Sequence, residues 1–179
     1  MSTLATTPQN HTVYRSVKWL TATAMLTAMN IALSSFGVPV PGGHLYLCDI
    51  IICAASLLLD PFGAFIAGGV GSFIGDFLFY PAPMFVSLVT HGIQAAVISL
   101  IFHKAAPEHK LRGAILGVSV GAVIMVVGYT LGRAFIYSTV EYAILKLPFE
   151  ILQAAVGAVL GPLLCFKGGL LKLWEKTEK

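Results

Sequence analysis

The chain has 179 residues, of which 57% are hydrophobic and only 11% are charged, and its formal net charge is +3. Because soluble domains carry about 25% charged residues, this composition excludes a water-soluble globular protein and predicts an integral membrane protein. The small net charge gives no reason to expect a nucleic-acid partner, and the scattered positions of the three cysteines give none to expect a metal site.

A membrane-spanning helix needs about 20 mostly apolar residues, so the chain has room for about six spans and almost no extramembrane domain. We therefore predict an all-α membrane protein that forms a single six-helix domain over residues 1–179 of the chain. The predicted spans are residues 19–38, 46–59, 62–80, 84–102, 113–135 and 148–166.

The first span carries a small residue at every fourth position, namely Ala24, Ala28 and Ala32. Residues four apart lie on one face of a helix, and small side chains let another backbone approach that face closely. This face serves either packing within the protein or contact with another membrane protein.

The stretch 39–43 predicts a turn after the first span, because its two prolines cannot continue a helix and its two glycines permit a tight reversal. The turn leads directly into His44, Tyr46 and Asp49. Asp49 either caps the second helix or belongs, with His44 and Tyr46, to a ligand site.

The later spans carry polar side chains in pairs that share a helix face, since their members lie three or four residues apart. Pro148 is predicted to be the first residue of the sixth span, where its missing N–H costs nothing. The four pairs are Asp76 and Tyr80, His91 and Gln94, Tyr129 and Arg133, and Glu150 and Gln153.

The basic residues predict the orientation, because positive charges are enriched in cytoplasmic segments. With six spans, nine of the eleven fall on the side of both termini, which is therefore predicted to be cytoplasmic, and only Arg133 and Lys146 fall on the outer side. The nine are Arg15, Lys18, Lys104, Lys110, Arg112, Lys167, Lys172, Lys176 and Lys179.

This topology places the polar pairs and Asp49 at the outer ends of their helices, whereas the inner halves of the later spans are nearly all apolar or glycine. Ionisable groups within spans usually face protein or water, so we predict an outward-facing pocket for a small, neutral or zwitterionic, aromatic and hydroxyl-bearing ligand. The alternative is a structural network in which Arg133 pairs with Glu150 or Asp76.

Two features resemble the S-component of an energy-coupling factor (ECF) vitamin transporter. One is the alanine face, and the other is residues 39–95, whose G-H-x-Y-L-x-D opening and G-D-x-x-x-Y…H-G-x-Q-A continuation resemble the branch assigned to pyridoxine or hydroxymethylpyrimidine. The resemblance implies a multi-pass protein of the bacterial plasma membrane that captures a vitamin from outside. It also implies docking, through the alanine face, on a membrane coupling subunit driven by two cytoplasmic ATPases, so that ATP is used by the partners and the chain holds no cofactor.

Two other classes compete with this interpretation. His91 with Asp76 or Glu150 would supply an acid–base pair for a small intramembrane enzyme, although no nucleophile or metal site accompanies them. A purely structural membrane subunit would bind no ligand at all. The residues do not separate pyridoxine from hydroxymethylpyrimidine, and the pyridine is slightly preferred.

Overall fold

A computed structural model describes residues 17–105 and 109–178. They form seven helices and one short antiparallel hairpin, in the order α1, β1, β2, and then α2 to α7. The bounds are α1 Val17–Ser34, β1 Val38–Val40, β2 Gly43–Leu45, α2 Cys48–Leu58, α3 Pro61–Phe79, α4 Met84–Lys104, α5 Lys110–Tyr137, α6 Val140–Phe166 and α7 Leu170–Glu178.

Four of the described helices, α3 to α6, are long and apolar enough to cross a membrane. Helix α2 is apolar but has only 11 residues, and α1, with 18 residues, is less apolar than these four. The arrangement of six spans therefore stays a prediction for α1 and α2, as does the cytoplasmic placement of both termini. Arg15 and Lys179 lie outside the described residues.

The predicted first span is too long at its end, because α1 stops at Ser34 and the next residues form the hairpin. Val38 pairs with Leu45 and Val40 pairs with Gly43, and the chain reverses at glycines with φ values of 82° and 149°. These positive φ values favour glycine, so the predicted turn is present, but it joins two strands rather than two helices.

The predicted start of the sixth span at Pro148 is wrong, because α6 begins eight residues earlier at Val140. Thr139 caps this helix by accepting a hydrogen bond from the Tyr142 N–H, and Glu141 places a negative charge in the first turn. Pro148 therefore lies inside the helix, an interruption that membrane helices tolerate when neighbouring groups satisfy the freed backbone. Residues predicted to lie in an outer loop, Lys146 among them, belong to α6.

Helix α2 lies at the centre of the bundle, and its residues from Cys48 to Leu58 are buried except Ile50, which is half-buried. It packs directly on α6 because glycines there leave room for its backbone. A Cβ atom added at Gly157 would lie 2.5 Å from the Cβ of Asp49, and one added at Gly161 would lie 2.5 Å from the Cβ of Cys53. This close approach holds the first turn of α2 against the side chains of α6.

Helix α1 is joined to α3 by a buried amide. The Asn30 Nδ2 group donates to the Ala67 carbonyl at 2.8 Å and lies 3.1 Å from the Ser72 hydroxyl. Ala67 belongs to a π-helical turn, Ile66–Val70, within α3. The predicted docking residues Ala24, Ala28 and Ala32 are exposed on α1, away from this contact.

Candidate ligand-binding site

A cavity lies at the hairpin end of the bundle, between the hairpin and helices α1 to α6. Its volume is about 30 Å³, room for about two water molecules at roughly 10–15 Å³ each. Small-molecule sites usually measure about 300–1,000 Å³, so a vitamin-sized ligand would require the surrounding side chains to move apart. Nine predicted site residues line it: His44, Tyr46, Asp76, Tyr80, His91, Tyr129, Arg133, Glu150 and Gln153.

Asp49 is the centre of a buried network that joins three helices. Its Oδ1 atom accepts a hydrogen bond from Gln94 Nε2 at 3.1 Å, and its Oδ2 atom accepts one from Gln153 Nε2 at 2.7 Å. The Gln153 Oε1 atom in turn accepts the backbone N–H of Tyr46 at 2.9 Å. Asp49 makes no helix cap, so the capping interpretation is wrong, and the carboxylate instead holds α4, α6 and the end of the hairpin together.

This network determines which ring nitrogen of His91 carries a proton when the ring is neutral. A carboxylate only accepts, so Gln94 must donate to Asp49 through Nε2 and must accept through Oε1. The Oε1 atom lies 2.7 Å from His91 Nδ1, which is therefore the protonated nitrogen. The Nε2 atom of His91 is left with a lone pair, and because His91 lines the cavity, it can accept a hydrogen bond from a ligand.

A second chain of hydrogen bonds joins α3, α4 and α5 on the neighbouring side. The Ser87 hydroxyl donates to the Asp76 carboxylate and lies 2.5 Å from the Tyr129 hydroxyl. The Tyr129 ring is 5.1 Å from the His91 ring, measured between centroids. Asp76, Tyr129 and His91 therefore form one wall that offers a carboxylate, a phenol and an aromatic surface.

The opposite side of the site contains two buried cations and one carboxylate. Arg133 donates to the Gly42 carbonyl at 2.8 Å and to Glu150 Oε1 at 3.0 Å. Lys146 Nζ lies 3.5 Å from the same Glu150 oxygen and makes no hydrogen bond. The predicted pairing of Arg133 with Glu150 is therefore present, and it fastens the hairpin turn to α5 and α6.

His44 and two tyrosines form the aromatic part of the site near the hairpin. The His44 ring lies 6.1 Å from the Tyr46 ring and 5.8 Å from the Tyr80 ring. The His44 Nδ1 atom is buried without a hydrogen-bond partner, so it can bind a polar group of a ligand. Flat rings at these distances can enclose an aromatic ligand between them.

The structure brings all eleven predicted site residues to one end of the bundle, with Asp49 and Gln94 supporting the wall rather than lining it. Sequence reasoning missed Ser87, Tyr137 and the site role of Lys146. Each lies four residues from a predicted site residue, on the same helix face, so the spacing rule applied to the pairs would have found them.

Cys48, Asp49 and His91 each offer a metal-ligand atom, and these atoms lie within 4.8 Å of one another. Both Asp49 oxygens and His91 Nδ1 are already hydrogen-bonded to glutamine side chains. A cation at this position would have to break that network, so the arrangement fits a structural role for Asp49 better than metal binding.

A family model described as "ECF-type riboflavin transporter, S component" matches residues 14–168 of the chain, and the chain therefore belongs to this family. The "uncharacterized protein in gap 3′ region" of Pyrococcus woesei is 28% identical over 136 residues, which cover 75% of this chain and 89% of that protein.

Among solved structures, the one described as "Structure and mechanism of the S component of a bacterial ECF transporter" is similar, with a TM-score of 0.65 and 19% identity. The match covers 86% of this chain and 96% of that chain, and at this identity it shows a common fold. Family and fold are those of a multi-pass transporter subunit that binds substrate, which is not an enzyme.

Proposed function

We propose that this chain captures a small, hydroxylated heteroaromatic vitamin or precursor, such as pyridoxine or hydroxymethylpyrimidine, from outside the cell. The observation that carries this proposal is the cavity between the hairpin and α1 to α6, whose wall combines aromatic rings with both donors and acceptors. The opposite end of α2 packs in an apolar core that includes Leu57, Leu58 and Leu59, so the part of α2 that faces this cavity is its first turn.

The roles of the residues follow from their hydrogen-bonding capacity. A ligand hydroxyl would donate to His91 Nε2, whose lone pair is set by Asp49 through Gln94. The ring would lie against Tyr129, His44 or Tyr80. Asp76 would accept from a ring N–H or a second hydroxyl.

Riboflavin is the second candidate, because the matching family is described by that vitamin. Its three-ring system is larger than a pyridine or pyrimidine, and the narrow cavity would have to widen more to admit it. The single-ring ligands are therefore the first proposal, and the resemblance of residues 39–95 to the pyridoxine or hydroxymethylpyrimidine branch also favours them.

Transport would require partners that are not in this chain. The exposed face formed by Ala24, Ala28 and Ala32 supports docking on a membrane coupling subunit, since small side chains permit close helix contact. ATP would be hydrolysed by two cytoplasmic ATPase subunits, and the complex would lie in a bacterial plasma membrane.

The proposal is tested by calorimetric titration of the purified chain in detergent with pyridoxine, hydroxymethylpyrimidine and riboflavin in turn. We expect submicromolar binding of one single-ring ligand. A His91→Ala variant should lose it, and a His109→Ala variant, altered at an exposed histidine outside the cavity, should keep it. Binding of riboflavin alone would favour the second candidate, and binding of none by a folded sample would contradict the proposed function.

A further inference from the structure

Two buried cations near the hairpin end of the cavity contact only one carboxylate, so their positive charge exceeds the negative charge beside them. Arg133 is 7% exposed and Lys146 is 1% exposed, and both contact the same oxygen, Oε1, of Glu150. Among the described residues, no ion pair joins either cation to Asp49 or Asp76. The second bond of Arg133 goes to a backbone carbonyl, which carries no net charge.

Several donors at this corner are also unused. Arg133 Nε, Lys146 Nζ and the Tyr137 hydroxyl are buried without a hydrogen-bond partner. Tyr137 adjoins Arg133, whose guanidinium carbon lies 5.2 Å from the centre of the tyrosine ring. Arg133, Tyr137 and Glu150 all line the cavity. Unpaired buried polar atoms cost free energy, and an acceptor group arriving in the cavity would pair with donors of Arg133 and Tyr137. Lys146 does not line the cavity, so it would act on that group through its charge.

The carboxylates of the site lie against other partners. Asp49 is bound by two glutamine amides, and Asp76 by the Ser87 hydroxyl. The cavity is therefore polarised, with acceptors on the Asp76 and His91 wall and unused donors on the Arg133 side. A ligand that matches both walls has a donor at one end and an oxyanion at the other.

We infer that the ligand carries an oxyanion, a carboxylate or a phosphate ester, which binds to Arg133 and is attracted by the buried charge of Lys146 behind Glu150. This inference rests on the proposed function and narrows its ligand class from hydroxylated rings to rings with an acidic substituent. An oxyanion is the acceptor that arginine binds most strongly, and its charge would balance the second cation that Glu150 leaves uncompensated.

The experiment compares matched neutral and anionic ligands by calorimetry on the purified full chain. The neutral ligands are pyridoxine, hydroxymethylpyrimidine and riboflavin. The anionic ones are the phosphate monoester of each and 4-pyridoxate, so that phosphate and carboxylate are distinguished. We expect at least one anionic ligand to bind tenfold or more tightly than its neutral counterpart.

A Lys146→Met variant tests the assignment, because methionine keeps the apolar stem and removes the charge. It should lose most of the preference for the anion, about tenfold, while its thermal stability stays equal or rises, as expected when a poorly paired buried charge is replaced by an apolar group. A Lys172→Met variant, altered at an exposed lysine of α7, should keep the preference.

A neutral ligand that binds more tightly than all its anionic counterparts would overturn the inference and leave the proposed function standing. The inference would also be overturned if both variants, Lys146→Met and Arg133→Gln, kept the wild-type preference for the anionic ligand. Binding of none of the seven ligands by a folded sample would contradict both.

Discussion

Replacing Asp49 with asparagine tests whether this carboxylate sets the protonation of His91 across two hydrogen bonds. Asparagine has the same shape, but one of its two polar atoms donates. The asparagine oxygen can still accept a hydrogen bond from Gln153 Nε2, which lies 2.7 Å from Asp49 Oδ2 in the wild type. The asparagine NH₂ group must then donate to Gln94, whose amide has to reverse and present its own NH₂ group to His91 Nδ1. The proton of the neutral imidazole would move to Nε2, which would turn from an acceptor into a donor in the cavity.

The expected magnitudes follow from the bonds involved. Hydrogen bonds to a charged group contribute about 1.5–3 kcal/mol and neutral ones about 0.5–1.5 kcal/mol, so the loss of charge on two bonds should cost about 2 kcal/mol of unfolding free energy. Loss of the ligand bond to Nε2, about 1.4 kcal/mol, corresponds to tenfold weaker binding. Asp49→Ala should destabilise the protein more, because it leaves two buried amides unpaired at about 1–3 kcal/mol each.

The assay combines thermal unfolding, ligand titration and ¹⁵N NMR of the histidine ring nitrogens, which separates the two tautomers directly. The wild type should show a protonated Nδ1, and Asp49→Asn should show a protonated Nε2 with binding at least tenfold weaker. An unchanged tautomer and unchanged affinity in Asp49→Asn would refute the reasoning.

Three further predictions concern the wall, the docking face and the helix packing. His91→Ala and Gln94→Ala should each weaken ligand binding at least tenfold, about 1.4 kcal/mol, without unfolding the protein. Unchanged affinity in both variants would contradict the binding site as described. Ala28→Trp, on the exposed face of α1, should leave ligand affinity unchanged but abolish uptake by the assembled transporter, and normal uptake would contradict the docking proposal. Gly161→Val should lower the unfolding free energy by about 1–3 kcal/mol, the usual cost of overpacking, because its Cβ would meet Cys53 at 2.5 Å; a melting temperature equal to that of the wild type would show that α2 and α6 can separate at little cost.

The membrane class and the helical fold follow from the sequence alone, because apolar runs of sufficient length need no knowledge of their neighbours. The common location of the polar residues also follows, since side chains three or four apart share a helix face and the turns between helices set which end they occupy. His91 with Gln94 is the clearest case, because the two are one turn apart and bond to each other.

The partners of the buried polar groups were decided only by the tertiary structure. Asp49 meets Gln94 and Gln153, which are 45 and 104 residues away, and such contacts depend on the rotation and depth of each helix, for which the chain carries no local signal. Lys146 shows the same limit. Its position between the predicted fifth and sixth spans placed it in an outer loop. The continuation of α6 through Pro148 instead buries it beside Glu150, because the helix that contains it packs against the hairpin turn at Gly42.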